Sequence, residues 1–191
     1  MVGKITKHIV DRMIALDVID PIDEKYYIYR LSVLTETAFI IFSLLMIALV
    51  FGRLNIMIFF LITYLGLRRY TGGVHLDSYS KCYFASVVVF SGVVYIVPAL
   101  SMNKYFLLIT LLAVLAIFVI GTVNHPNLNM DTDEVIYMKK KARICLFIVC
   151  MILIILKAFK FHETYLIASE TAIIICAFFM IAAKLFEQKG D

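Results

Sequence analysis

The sequence predicts an all-α, polytopic membrane protein: six transmembrane helices preceded by an N-terminal amphipathic helix at the membrane interface. Three observations carry that prediction. Apolar residues make up 63% of the 191, whereas soluble domains hold about 45–50%. The apolar residues are gathered into six runs. The cations that interrupt them fall mostly into alternate turns, as the positive-inside rule requires of a multi-pass chain. The whole chain, 1–191, reads as one domain, with an interfacial segment at 1–29, a reactive polar stretch at 68–82 and a polar loop at 122–143.

From the N-terminus, Val2, Ile5, Ile9, Met13, Leu16 and Ile19 recur at steps of three and four, with Lys4, Lys7 and Asp11 opposite. That period places them on one helical face, which suits a helix lying in the interface or one packed on the bundle. Met1 to Lys7 do not read as a signal peptide, because Arg12, Asp17 and Asp20 break the apolar run and no small-residue cleavage site follows. Asp20-Pro21-Ile22-Asp23 ends this helix. Tyr26, Tyr27 and Tyr29 then suit a headgroup-level belt.

The spans are expected near 31–50, 54–67, 83–100, 105–123, 144–161 and 164–185. A spanning helix needs about 20 residues, so the second is short, and it runs directly into Arg68 and Arg69. With the N-terminus inside, fourteen of the eighteen lysines and arginines lie on the inner side; only Arg53, Lys104, Lys157 and Lys160 lie outside. Both termini and the 68–82 stretch are therefore expected to face the cytosol. In the 122–143 loop, Asp131, Asp133 and Glu134 precede Lys139, Lys140, Lys141 and Arg143, an order that suits a short helix from about Thr132. Glu36 and Glu170 fall within spans and count as candidate functional carboxylates.

Of the four cysteines, Cys145, Cys150 and Cys176 sit in apolar runs, where cysteine behaves as a small hydrophobe. Cys82 alone has polar neighbours. No disulfide framework or metal-ligand spacing appears, and His8, His125 and His162 are remote in sequence. No metal, cofactor or nucleic-acid partner is expected.

The stretch Arg68-Arg69-Tyr70-Thr71-Gly72-Gly73-Val74-His75-Leu76-Asp77-Ser78-Tyr79-Ser80-Lys81-Cys82 offers a nucleophile in Cys82 and a base in His75. On one straight helix their spacing of seven would separate them by about 10 Å, beyond the contact that a base needs. A dyad therefore requires a bend. Gly72 and Gly73 permit one through positive φ. Asp77 or Ser78 can cap a new helix whose first turn holds Cys82, where the helix N-terminus and nearby cations favour a thiolate. Backbone N–H groups near Gly73 or at the helix start are candidates for an oxyanion site. Residue by residue, these features also suit plain structural roles: helix packing for the glycines and lipid anchoring for the arginines.

The pattern R-x-x-x-G-G-x-H-x-x-S-x-x-x-C resembles the signature of the accessory gene regulator protein B (AgrB) family of quorum-sensing peptide-processing membrane endopeptidases. The six apolar runs and the loop with His125-Pro126-Asn127 are similar too. The resemblance implies a Cys82–His75 thiol peptidase. It would cleave the C-terminal tail from an AgrD-type precursor through a thioester on Cys82 and promote thiolactone or lactone closure. It also implies a homodimer in membrane lipid. Arg68, Arg69, Lys139, Lys140, Lys141 and Arg143 then become candidate binders of an acidic precursor tail. The competing class is a peptide transporter or exporter.

Overall fold

In a computed structural model, residues 2–73, 79–100, 105–123 and 131–185 are described. Among them there are helices and no strand. α1 is Val2–Ala15, and a short 3-10 turn, Pro21–Asp23, leads into α2, Glu24–Val50. α3 is Leu54–Thr71, α4 Tyr79–Leu100, α5 Phe106–Ile120, α6 Thr132–Ala158 and α7 Glu163–Leu185. The Asp20 carboxylate accepts the Ile22 N–H at 2.9 Å with Pro21 at the first position of the turn, the usual division of labour at a helix start.

Each apolar run thus becomes a helix. α2, α4 and α7 are long and apolar enough to cross a membrane. α5 is apolar but only 15 residues long, short of the run expected at 105–123. The second run is longer than expected: α3 continues a full turn past 67 and carries Arg68 and Arg69 in its last turn. Arginine is a good helix former, so the change from apolar to charged residues does not end the helix. The expected short helix near Thr132 and the fifth run merge into one 27-residue helix, α6. Its start is fixed by a capping box in which the Asp131 side chain takes the Glu134 backbone N–H and Glu134 reaches back to that of Asp131, at 3.2 Å.

The core is built on α3 and α7, which run parallel. Successive contacts climb both helices together. Asn55 donates to the Tyr165 hydroxyl at 3.2 Å, Ser169 to the Phe59 carbonyl at 3.4 Å, and the Cys176 thiol to the Tyr64 carbonyl at 3.8 Å; the Arg68 guanidinium lies 5.8 Å from the Phe179 ring. Met57, Phe60 and Leu67 of α3 and Ala172, Cys176 and Met180 of α7 are fully buried. α2 and α4 form a second parallel pair, joined by Ser43 to Tyr83 at 2.8 Å and by the Phe51 and Tyr95 rings at 5.0 Å.

α1 docks on α2. Thr6 and Val10 are buried, and Thr6 meets the Ser32 hydroxyl at 3.1 Å. Ile9 and Leu16, which the sequence pattern put on the apolar face, remain exposed. The face that packs is therefore not the most apolar one, because Thr6 contributes through its hydrogen bond.

α4 contains Pro98. Proline lacks the N–H that would bond the carbonyl four residues back, which here is that of Val94. Arg53, in the α2–α3 turn, supplies the missing donor: its Nη1 donates to the Val94 carbonyl at 2.7 Å.

Candidate active site

The site begins where α3 ends. Gly72 (φ 67°) and Gly73 (φ 143°) both have backbone conformations that side-chain-bearing residues rarely adopt. Both also lack space. A Cβ on Gly72 would lie 2.6 Å from the Val123 carbonyl oxygen, and one on Gly73 would lie 1.4 Å from Nη1 of Arg68. The two glycines thus do different work. Gly72 lets the α3 terminus approach the chain that leaves α5, where the Val123 N–H donates to the Thr71 carbonyl at 3.0 Å. Gly73 leaves room for the Arg68 guanidinium, which folds back and donates to the Gly72 carbonyl. Helix α3 is thereby capped by its own arginine, a favourable place for a cation at a helix C-terminus.

Cys82 is the fourth residue of α4 and is half-buried. Its neighbour Tyr83 is tied to Ser43 of α2, which fixes the rotation of α4 at the cysteine. Cys82, Arg68 and Cys176 all lie within electrostatic reach of the Tyr64 phenol. The helices that carry the cap and the cysteine pack on each other, with the Tyr64 ring of α3 and the Phe90 ring of α4 4.7 Å apart. The other thiols serve packing: Cys145 donates to the Gly66 carbonyl at 3.5 Å, Cys176 to that of Tyr64, and Cys150 is partly buried.

The candidate base His75 lies outside the described residues, as do Asp77, Ser78 and the His125-Pro126-Asn127 segment. Of the cations, Arg69 is exposed, with its guanidinium 5.9 Å from the Tyr70 ring. Lys139 and Arg143 gather at the end of α5. The Lys139 stem packs so closely on Gly121 that a Cβ there would meet its Cγ at 2.8 Å. Arg143 donates from Nε to the Phe118 carbonyl at 3.0 Å and covers the Phe118 ring at 5.2 Å. Lys141 lies 5.3 Å from the Tyr137 ring, and Lys140 is exposed. Among the described residues, no three His, Cys, Asp or Glu side chains come together as metal ligands.

Sequence reasoning missed Thr71 and Val123, which join α3 to α5, and Tyr64, Phe179 and Ser43, which surround the capped turn and Cys82. All act through contacts remote in sequence, and none has a local signature.

No curated protein and no solved structure matches this chain. The family profile described as accessory gene regulator B matches residues 2–186. That span includes every described helix, the glycine-capped turn and Cys82. The protein is a membrane protein of the accessory gene regulator B family, whose members act with an AgrD-type precursor in quorum-sensing peptide processing.

Proposed function

We propose that this protein is a multi-pass membrane cysteine endopeptidase that cleaves an AgrD-type precursor and closes the remaining peptide into a ring. The observation that carries the reading is the half-buried Cys82 thiol in the first turn of α4, in a chain of this family. In the proposed reaction His75 takes the Cys82 proton, and the sulfur adds to the scissile carbonyl. The C–N bond then breaks, and His75 returns the proton to the departing amine. The tail leaves with a free amino terminus, and the rest of the peptide is held as a thioester on Cys82. A thiol or hydroxyl within that peptide attacks the thioester, giving the ring and regenerating the Cys82 thiol.

Within this reading the six longer helices span the bilayer, with both termini and Cys82 on the cytosolic side, and the protein works as a homodimer. Asp77 and Ser78, which precede α4 in sequence, help to position the dyad. The Gly73 N–H is the oxyanion donor of the glycine turn, since that of Gly72 bonds the Arg68 carbonyl at 3.2 Å. Exposed Arg69, Lys140 and Arg143 are the first cations to meet an acidic precursor tail, with Arg68, Lys139 and Lys141 behind them.

The test is precursor cleavage in vesicles by wild type, Cys82→Ala and His75→Ala. Both variants are expected to insert normally and to give no cleaved tail. Only wild type should give a hydroxylamine-sensitive precursor adduct. Undiminished cleavage by Cys82→Ala would overturn the mechanism and favour an exporter that acts on peptide made elsewhere.

A further inference from the structure

At the end of the bundle away from Cys82, a cavity of about 670 Å³ opens between the end of α4, the start of α5 and the α6–α7 turn. Its charged lining is mixed: Lys157, Lys160, Glu163 and Glu170. Glu163 and Glu170 stand seven residues apart on α7, so Glu170 lies about 10 Å deeper along the axis. Glu170 is partly buried, and Lys157 and Glu163 are the charged groups within its electrostatic reach. Among the described residues its carboxylate makes no hydrogen bond or close ion pair. A carboxylate set in an apolar wall is stabilised by a donor that reaches it. The wall consists of Phe106 and Leu107 on one side and Leu166 and Ile167 on the other. From Leu107 an apolar row continues down α5 through Leu111 and Leu115, which are 53%, 57% and 57% exposed. Those three residues, four apart, line one side of the helix from the cavity into the bilayer.

We propose that this cavity is a binding site for a phospholipid with a primary ammonium in its headgroup, of the phosphatidylethanolamine class. Lys157 and Lys160 face the phosphate. Glu170, with Glu163 above it, receives the ammonium, and the acyl chains descend along Leu107, Leu111 and Leu115. Among the described residues, two cations and two anions line the cavity, which matches a zwitterion and disfavours a headgroup that carries the phosphate charge alone. A carboxylate acceptor also separates ethanolamine from choline, because a quaternary ammonium has no N–H to donate. The apolar row commits the site to a membrane lipid rather than a free headgroup. The inference rests on the membrane placement of these helices and not on the cysteine chemistry.

The test is native mass spectrometry of the full-length protein in detergent. The protein is equilibrated with an equimolar mixture of phosphatidylethanolamine, phosphatidylcholine and phosphatidylglycerol of identical acyl chains. Wild type is expected to retain the ethanolamine lipid over either competitor by about tenfold, roughly the factor for one charge-assisted hydrogen bond. Glu170→Gln should reduce that preference towards unity while lipid retention persists. A Lys157→Gln/Lys160→Gln pair should weaken retention of all three lipids. Headgroup-blind retention by wild type would overturn the inference without recourse to any variant. So would an ethanolamine preference that survives in Glu170→Gln, or equal competition by soluble glycerophosphoethanolamine. Failure to retain any phospholipid would count against the membrane placement itself.

Discussion

Arg68 acts inwards. Its guanidinium spans the Gly72–Gly73 turn and rests on Phe179, so its first task is to hold the chain that leads from α3 towards His75. Gly73→Ala places a methyl group where that guanidinium lies and asks alanine to adopt φ 143°. We predict that it cuts precursor cleavage by at least about tenfold, the cost expected when reacting groups are slightly misplaced, while the membrane-inserted amount stays near wild type. Arg68→Lys should behave similarly, because an ammonium lacks the planar fork that bonds the carbonyl while covering a ring. Full activity in both variants, measured as cleaved tail per inserted protein, would show the cap to be dispensable. The glycine pair and its positive φ were legible in the sequence from the Thr-Gly-Gly run. The reason for Gly73 was not, because the clash is with a side chain folded back from the preceding turn.

At the scale of the element, Pro98 and Arg53 form a testable couple. Removing Arg53 leaves the Val94 carbonyl without its donor, a loss of about 1–3 kcal/mol for a buried group. Arg53→Ala should therefore lower the thermal transition of the detergent-solubilised protein. Pro98→Ala restores an N–H to α4, so the same Arg53→Ala change in that background should cost distinctly less. Equal costs in both backgrounds would separate the arginine from the proline. Asp131→Ala removes half of the α6 capping box and should destabilise by about 1 kcal/mol. The start of α6 was legible because acids precede a helical run. The end of α3 was not, since Arg68 and Arg69 read as a boundary although their propensity favours continuing the helix. The docking face of α1 was hidden for a related reason: Thr6 is polar, and only its partner Ser32, 26 residues away, makes it a packing residue.

For the whole molecule, the distribution of cations makes a prediction about sidedness. A membrane-impermeant maleimide should label Cys82 in inside-out vesicles and not in intact cells. Cys145, Cys150 and Cys176, packed between helices, should react slowly from either side. Fast labelling of Cys82 from outside would reverse the topology. The helical class follows from composition and apolar runs alone, as does the helix that each apolar run becomes among the described residues. The pairing does not, because α3 and α7 run side by side although about half the chain separates them, and apolar periodicity does not name a neighbour. That pairing also bears on biogenesis. Phe179, on which the Arg68 guanidinium rests, belongs to α7, which is synthesised well after His75 and Cys82, so a nascent chain holding those two residues still lacks the wall that steadies its glycine turn. Peptide maturation is therefore expected to wait until α7 has been made, and a chain ending before Glu163 should insert yet stay inert until the missing helix is supplied as a separate polypeptide.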